Sequence, residues 1–191
     1  MYEVELKLPA DHDAVRERLA ALGAREVRTA TQRDTYYDAP HRDFAATDEA
    51  FRLREETDDG GTVSKLTYKG PLVDAESKTR EEHETAVADG DAARAIAEGL
   101  GFEPAAVVEK ERVFYETDGF VVTLDTVTGL GTFVEAETEV GTEAEVPAAR
   151  DRARELLADL GLDPEENVRT SYLGLLFEAG AATAAETDAS E

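Results

Sequence analysis

The chain has no cysteine and no long apolar run, and each absence excludes a class of protein. Without cysteine there are no disulfides and no thiolate metal sites, so metals bound by oxygen remain open. No apolar stretch approaches the ~20 residues that span a bilayer. The first eight residues alternate in charge, unlike the basic-then-apolar order of a signal peptide. We therefore expect a cytoplasmic protein that does not enter the membrane.

Basic residues are also scarce. The 191 residues include 44 acidic and 20 basic side chains, a formal net charge of -24, with five lysines beside fifteen arginines. Such an excess repels nucleic acid and anionic membranes at long range, so neither is an expected partner. The acidity is spread along the whole chain, which favours adaptation to high salt, a halophilic surface, over one acidic binding site.

The length fits one domain, which we place at residues 1–179. The remaining residues, 180–191, are rich in alanine, threonine and acids, and this composition predicts a disordered tail. Three apolar patterns of helical spacing each end before a glycine, and a fourth helix is predicted over 171–178. The three patterns are Val15, Leu19 and Leu22 before Gly23; Ile96 and Leu100 before Gly101; and Ala153, Leu156, Leu157 and Leu160 before Gly161.

The rest of the chain alternates with period two, the pattern of half-buried strands. Turn residues such as Asp118-Gly119 separate several of these segments. Eight strands joined largely by hairpins suit an antiparallel barrel or a strongly curved sheet. The predicted strands lie near 2–8, 33–38, 50–56, 62–69, 79–87, 106–116, 120–127 and 132–140.

The polar faces of these strands carry an unusual set of charges. Cations gather on the middle strands, and acid pairs lie on the first and last, whereas an ordinary wet face of a sheet has no reason for this division. Arginine and lysine neutralise phosphate oxygens, and carboxylates bind Mg²⁺ or Mn²⁺, so the division favours a polyanion beside divalent metal. The faces hold Lys7, Arg52, Arg54, Lys65, Lys69, Arg80, Lys110 and Arg112, together with Glu3, Glu5, Glu82, Glu84, Asp125, Glu135 and Glu137.

An ordered series of motifs resembles one known family, the triphosphate tunnel metalloenzymes or CYTH proteins. The opening Glu3-Val4-Glu5-Leu6-Lys7 is similar to their ExExK signature, which alone is weak, but the later matches keep the family order to about residue 177. The further matching segments are residues 33–38, 51–54, 68–71, 109–112, 128–137 and 171–176.

The resemblance implies an α+β fold, an eight-stranded antiparallel closed β-tunnel with helices packed outside. It implies triphosphate contacts from Lys7, Arg52, Arg54, Lys69, Arg80, Lys110 and Arg112, and Lys65 joins them because it faces inward by alternation. It implies Mg²⁺ or Mn²⁺ as the cofactor, held by Glu3, Glu5, Asp125, Glu135 and Glu137.

The same resemblance leaves the reaction open. Residues 128–137 and 171–176 look most like class IV adenylyl cyclases, lyases that convert ATP to cAMP and pyrophosphate. Residues 33–38 look equally like thiamine triphosphatases, in which Tyr36 and Lys69 would orient or deprotonate water. The catalytic candidates are Lys7, Lys69 and Tyr36, and the partner is ATP, tripolyphosphate or thiamine triphosphate.

Three functions therefore stand at this point. A cyclase is favoured, an inorganic or thiamine triphosphatase is the first alternative, and a non-catalytic protein that binds nucleotide or polyphosphate is the second. The complete set of metal carboxylates favours catalysis over simple binding. The sequence leaves open whether the chain acts alone or as a homodimer.

Overall fold

Eight strands close into one antiparallel ring in the structure, a computed structural model that describes residues 1–74, 76–180 and 183–184. Their order around the ring is β2-β3-β4-β5-β1-β8-β7-β6, and β6 pairs back onto β2. The predicted closed tunnel with helices outside is thereby confirmed. The strands are β1 (Tyr2–Pro9), β2 (Arg25–Asp38), β3 (Ala50–Asp58), β4 (Gly61–Leu72), β5 (Arg80–Val87), β6 (Glu103–Thr117), β7 (Phe120–Val127) and β8 (Gly131–Val140).

The helices lie outside this ring. Asp11 caps the first of them and Asp89 the third through hydrogen bonds from backbone amides of the first turn. Gly23, Gly101 and Gly161 have positive φ and follow the three helix ends that the sequence predicts. In the part of the chain that the structure describes, no helix is long and apolar enough to cross a membrane. The helices are α1 (His12–Ala21), α2 (Phe44–Thr47), α3 (Gly90–Gly99), α4 (Val146–Asp159) and α5 (Tyr172–Glu178).

Strand β1 shows how the sequence separates the two faces of the wall. Val4, Leu6 and Leu8 are fully buried on the outer face, where Leu6 and Leu8 pack in one cluster with residues of α1 and α4. The intervening Glu3, Glu5 and Lys7 occupy the opposite face, because successive side chains of a strand alternate. A slip of one residue would exchange the two sets, so the apolar outer face fixes the register.

The start of β2 and the presence of α2 differ from the prediction. Strand β2 begins at Arg25, eight residues before the predicted start, and pairs with β6 along its length. A register shift between Glu26 and Arg28 interrupts the period-two pattern there, which explains why the alternation does not reveal this part of the strand. The short helix α2 also has no apolar period, because it is one turn long.

Helix α3 turns a different face to the barrel than its apolar residues suggest. Ile96 and Leu100 are 64% and 68% exposed, so the prediction that they form the buried stripe is wrong. Ala93 and Ala97 are buried instead and pack with Tyr37 and Leu53. Alanine lets the helix backbone approach these large side chains closely, and the longer Ile96 and Leu100 remain in solvent.

The apolar core lies outside the barrel and is one-sided. Its largest cluster packs β1, β6, β7 and β8 against α1 and α4. The cluster under α3, on the side of β3, is much smaller. The predicted disordered tail, 180–191, lies outside the described residues, except for Gly180 and a short strand β9, Thr183–Ala184, that pairs with β6.

Candidate functional site

The lumen of the barrel is a cavity of about 870 Å³ with a charged wall. Side chains from β1 to β6 and from β8 line it, because these strands turn their polar faces inward. Of the predicted site residues, Lys7 and Asp125 lie behind this lining and are fully buried. The predicted residues that line the cavity are Glu3, Glu5, Tyr36, Arg52, Arg54, Lys65, Lys69, Arg80, Lys110, Arg112, Glu135 and Glu137.

Three carboxylates form a cluster on one wall, which we call the carboxylate trio: Glu5, Glu135 and Glu137. One oxygen of each lies within 4.8 Å of the others. The trio arises because β1 and β8 are neighbours, with Glu5 opposite Glu137 and the next inward position of β8 occupied by Glu135. Hard oxygen donors at this spacing are the ligands that Mg²⁺ and Mn²⁺ prefer, so the residues present fit the expected cofactor.

The charges within the trio are not equivalent. Burial raises the pKa of Glu137 well above its usual value, and the negative charge of Glu135 adds to this effect. Burial opposes ionisation of Glu135 as well, but the cations of Arg112 and Lys110 outweigh it and lower the pKa of Glu135 well below its usual value. Arg112, which lies 3.3 Å from Glu137, opposes the rise in the pKa of Glu137 only in part.

The two other predicted metal ligands, Glu3 and Asp125, lie outside the carboxylate trio and contact different cations. Glu3 lies 3.0 Å from the Nζ atom of Lys69. Burial resists its ionisation, yet the charge of Lys69 lowers the pKa of Glu3 to about 2. Asp125 accepts hydrogen bonds from Arg112 Nε at 2.6 Å and from Lys110 Nζ at 3.2 Å. All five predicted metal ligands are in ion pairs, since Glu5 pairs with Lys78 and both Glu135 and Glu137 pair with Arg112. Only Glu5, Glu135 and Glu137 also lie close together.

Asp34 organises the arginines on the opposite wall. Its carboxylate accepts hydrogen bonds from Arg54 Nε at 2.6 Å and Nη2 at 2.7 Å, and from Arg52 Nη1 at 3.1 Å. Burial opposes its charge, but the two guanidinium groups hold the pKa of Asp34 far below its usual range. A bidentate contact fixes the plane of a guanidinium, so Asp34 sets the direction in which Arg54 faces the lumen.

Replacing Asp34 by asparagine should therefore cost much of the free energy of unfolding. The change leaves two buried cations without their counter-charge, and breaking such a pair costs about 3–5 kcal/mol. Urea unfolding measures the loss. The matched control is Glu55→Gln, on the exposed ion pair with Arg33, which should cost about 0–1 kcal/mol. Equal losses in the two variants would contradict the organising role of Asp34.

The lysines of β4 and Arg80 also have carboxylate or carbonyl partners. Lys65 lies 3.4 Å from both Glu56 and Glu84. Lys69 contacts Glu82 at 2.5 Å in addition to Glu3. The Nη1 atom of Arg80 donates to the carbonyl oxygens of Asp48, at 2.6 Å, and Gly70, at 3.4 Å. Arg80 therefore anchors the backbone before β3, although it also lines the cavity.

Helix α5 and the residues before it line part of the cavity and contact Lys7. The Nζ atom of Lys7 donates to the carbonyl oxygen of Thr170 and lies 4.3 Å from the centre of the Tyr172 ring. The Nζ atom of Lys110 lies 5.0 Å from the same ring. Burial, together with the nearby charge of Lys78, lowers the pKa of Lys7 to about 7.

The prediction misses Lys78, the fifth lysine, which also lines the cavity. It lies in the loop between β4 and β5, where no alternation of polar and apolar residues shows the direction of a side chain. The scarcity of lysine is the signal that identifies it. An acidic chain that keeps five lysines, four of them predicted to face the lumen, gives reason to place the fifth there as well.

Comparison with known proteins identifies the class. The family model of the CYTH domain matches residues 1–172, so the chain belongs to the CYTH family. A Methanocaldococcus jannaschii protein named "Putative adenylate cyclase MJ0240" is 37% identical over 92% of this chain and 98% of its own. The adenylate cyclase CyaB of Aeromonas hydrophila is 29% identical over 90% of this chain and 86% of its own. The PH1819 protein of Pyrococcus horikoshii has a similar structure, with a TM-score of 0.86, 40% identity and coverage of 92% and 98%.

Proposed function

We propose that the chain is a metal-dependent enzyme that acts on a triphosphate in its tunnel, and that it is an adenylyl cyclase converting ATP to cAMP and pyrophosphate. One observation carries the proposal. The carboxylate trio, which suits a divalent cation, lines the same cavity as Arg52, Arg54, Lys69, Lys110 and Arg112, which suit phosphate oxygens.

The carboxylates and the arginines of the tunnel have different roles in this proposal. Glu5, Glu135 and Glu137 would hold Mg²⁺ or Mn²⁺, which would neutralise charge on phosphate oxygens. Arg54 and Arg112 face the lumen in directions fixed by Asp34 and Asp125. Such fixed cations bind the phosphate chain and stabilise the charge that builds up on it during phosphoryl or nucleotidyl transfer. The ribose 3′-hydroxyl of ATP is then the nucleophile at the α-phosphorus.

The cyclase is chosen over a triphosphatase because two relatives that match most of this chain, and that this chain matches over most of their own length, are named as adenylate cyclases. A triphosphatase remains the second candidate on one observation. The hydroxyl of Tyr36 lies 3.5 Å from Arg52 Nη1 at the cavity wall, where it can orient a water molecule. Incubation with Mg²⁺ or Mn²⁺ and ATP, tripolyphosphate or thiamine triphosphate separates the two. We expect cAMP and pyrophosphate from ATP, whereas orthophosphate as the product contradicts the cyclase.

Lys110→Met should weaken tripolyphosphate binding. The side chain keeps its unbranched apolar stem but loses the ammonium that would meet a phosphate oxygen. Such a bond contributes about 1.5–3 kcal/mol, so the affinity should fall about tenfold or more. Calorimetry measures it, with Arg33→Met as the control, because Arg33 pairs with Glu55 and Glu109 outside the lumen. An unchanged affinity in Lys110→Met would remove Lys110 from the binding site.

A further inference from the structure

The loop between β4 and β5 holds Lys78 against β1. The backbone amide of Lys78 donates to the carbonyl oxygen of Glu5 at 3.1 Å. On either side of it, Ser77 and Thr79 are fully buried and their hydroxyl groups lie 2.6 Å apart. Lys78 is therefore presented to the lumen from a fixed backbone.

A second set of contacts ties this loop to α4 and to the segment before α5. Asp74 accepts hydrogen bonds from the amide and hydroxyl of Ser77 and from Arg150 of α4. Arg169 donates to the carbonyl oxygen of Asp74. A loop anchored at several points keeps its side chains in place when the contents of the lumen change.

The ammonium of Lys78 reaches the carboxylate trio. Its Nζ atom lies 3.4 Å from Glu5 Oε1, and the two side chains are 11% and 5% exposed. Arg112 already pairs with Glu135 and Glu137, so Glu5 is the member of the trio that Lys78 neutralises. All five lysines are described, and the other four have their nearest partners elsewhere. Lys65 and Lys69 pair with carboxylates of β1, β3 and β5, Lys110 pairs with Asp125, and Lys7 donates to Thr170.

We propose that Lys78 is the resident counter-ion of Glu5 within the carboxylate trio, that a divalent cation displaces it from Glu5, and that its ammonium then binds the triphosphate. The inference rests on the proposed function, since it takes the trio to be the metal site. Lys78 then has two opposite effects on binding, because it competes with the metal and attracts the substrate.

Repulsion between like charges favours this displacement. A divalent cation among the three oxygens of the trio would stand a few ångströms from an ammonium that is 3.4 Å from one of them, and like charges at this distance repel strongly in a partly buried site. The metal offers Glu5 twice the charge of the ammonium. Because the loop backbone stays fixed, the freed ammonium remains at the lumen, where the phosphate oxygens beside the metal are the nearest new anions.

The test is to measure two affinities in Lys78→Met. Calorimetry with Mn²⁺ alone, at constant ionic strength, should show binding about tenfold tighter than in the wild type, because the competing cation is gone. Tripolyphosphate binding at saturating Mn²⁺ should become about tenfold weaker, because one charge-assisted hydrogen bond is lost. A residue that only supports the fold would shift both affinities in the same direction.

Two further variants sharpen the result. Arg33→Met is the control, since Arg33 pairs with Glu55 and Glu109 outside the lumen, so its Mn²⁺ affinity should equal that of the wild type. If Lys78→Met does not fold, Lys78→Gln gives the same contrast, because it removes the charge but keeps a donor for Glu5.

The outcomes separate the inference from the function on which it rests. If the wild type binds Mn²⁺, Glu135→Gln abolishes that binding, and Lys78→Met binds Mn²⁺ no more tightly, then the counter-ion role is wrong and the metal site stands. If Lys78→Met binds tripolyphosphate as the wild type does, the substrate contact is wrong. If the wild type binds no Mn²⁺, both the metal site and the inference are overturned.

Discussion

Glu135→Gln is expected to lower the turnover of ATP by at least about 100-fold, because it replaces an ionised metal ligand by a neutral amide of nearly the same size. Glu135 is the member of the trio whose pKa the neighbouring cations lower against the cost of burial, so it carries full charge. The amide cannot offer the same charge to Mg²⁺ or Mn²⁺. Initial rates at increasing metal concentration measure the effect, and circular dichroism checks the fold.

The matched control for this variant lies on the same strand. Glu139 occupies the same face of β8 as Glu135 and Glu137 but is exposed and does not line the cavity. Glu139→Gln should therefore keep wild-type turnover. Full activity of Glu135→Gln at saturating Mg²⁺ or Mn²⁺ would show that the trio does not hold the catalytic metal.

The second large effect is expected from the substrate. ATP without its 3′-hydroxyl should bind with an affinity close to that of ATP but give no product, because a cyclase takes its nucleophile from the ribose. The phosphate chain is unchanged, so the contacts of the tunnel cations are retained. The reaction is measured as pyrophosphate and orthophosphate release, and binding is measured by calorimetry in the same buffer.

A triphosphatase predicts the opposite result with this analogue. Water attacks the terminal phosphorus in that reaction, so the missing hydroxyl has no part in the chemistry. Orthophosphate release from 3′-deoxy-ATP at the rate seen with ATP would therefore assign the tunnel to hydrolysis. Tyr36→Phe is then the next variant to examine, since the hydroxyl beside Arg52 would be the group that orients the water.

Alternation makes the inner wall predictable from the sequence. In β1, the apolar outer residues and the charged inner ones follow one another without a break, so the faces of Glu3, Glu5 and Lys7 follow directly. The neighbouring strands repeat the pattern, and the cavity lining follows from it. The closure of the ring is different, since the pairing of β6 with β2 depends on residues far apart in the chain, and its prediction came from the family resemblance.

The burial and the bonding partners of the inner-wall side chains were beyond the reach of the sequence. The pattern places Asp125 and Arg112 on inner faces, but it does not reveal that Asp125 is fully buried beneath Arg112 and Lys110. Nor does it reveal that Arg80 bonds to the backbone of Asp48. Such pairings depend on the stagger of the strands around the barrel and on side-chain length, which a single sequence does not specify.

The one-sided core has a consequence for how the ligand-free molecule opens. Strands β1, β7 and β8 lie beneath α1 and α4 with the largest apolar cluster, whereas β3 and β4 have only the small cluster under α3. Local opening starts where the least apolar surface must be exposed, so we expect amides of β3 and β4 to exchange with solvent before those of β1 and β8. We therefore expect local opening in the half of the barrel that carries Arg52, Arg54, Lys65 and Lys69. The half that carries the carboxylate trio stays closed.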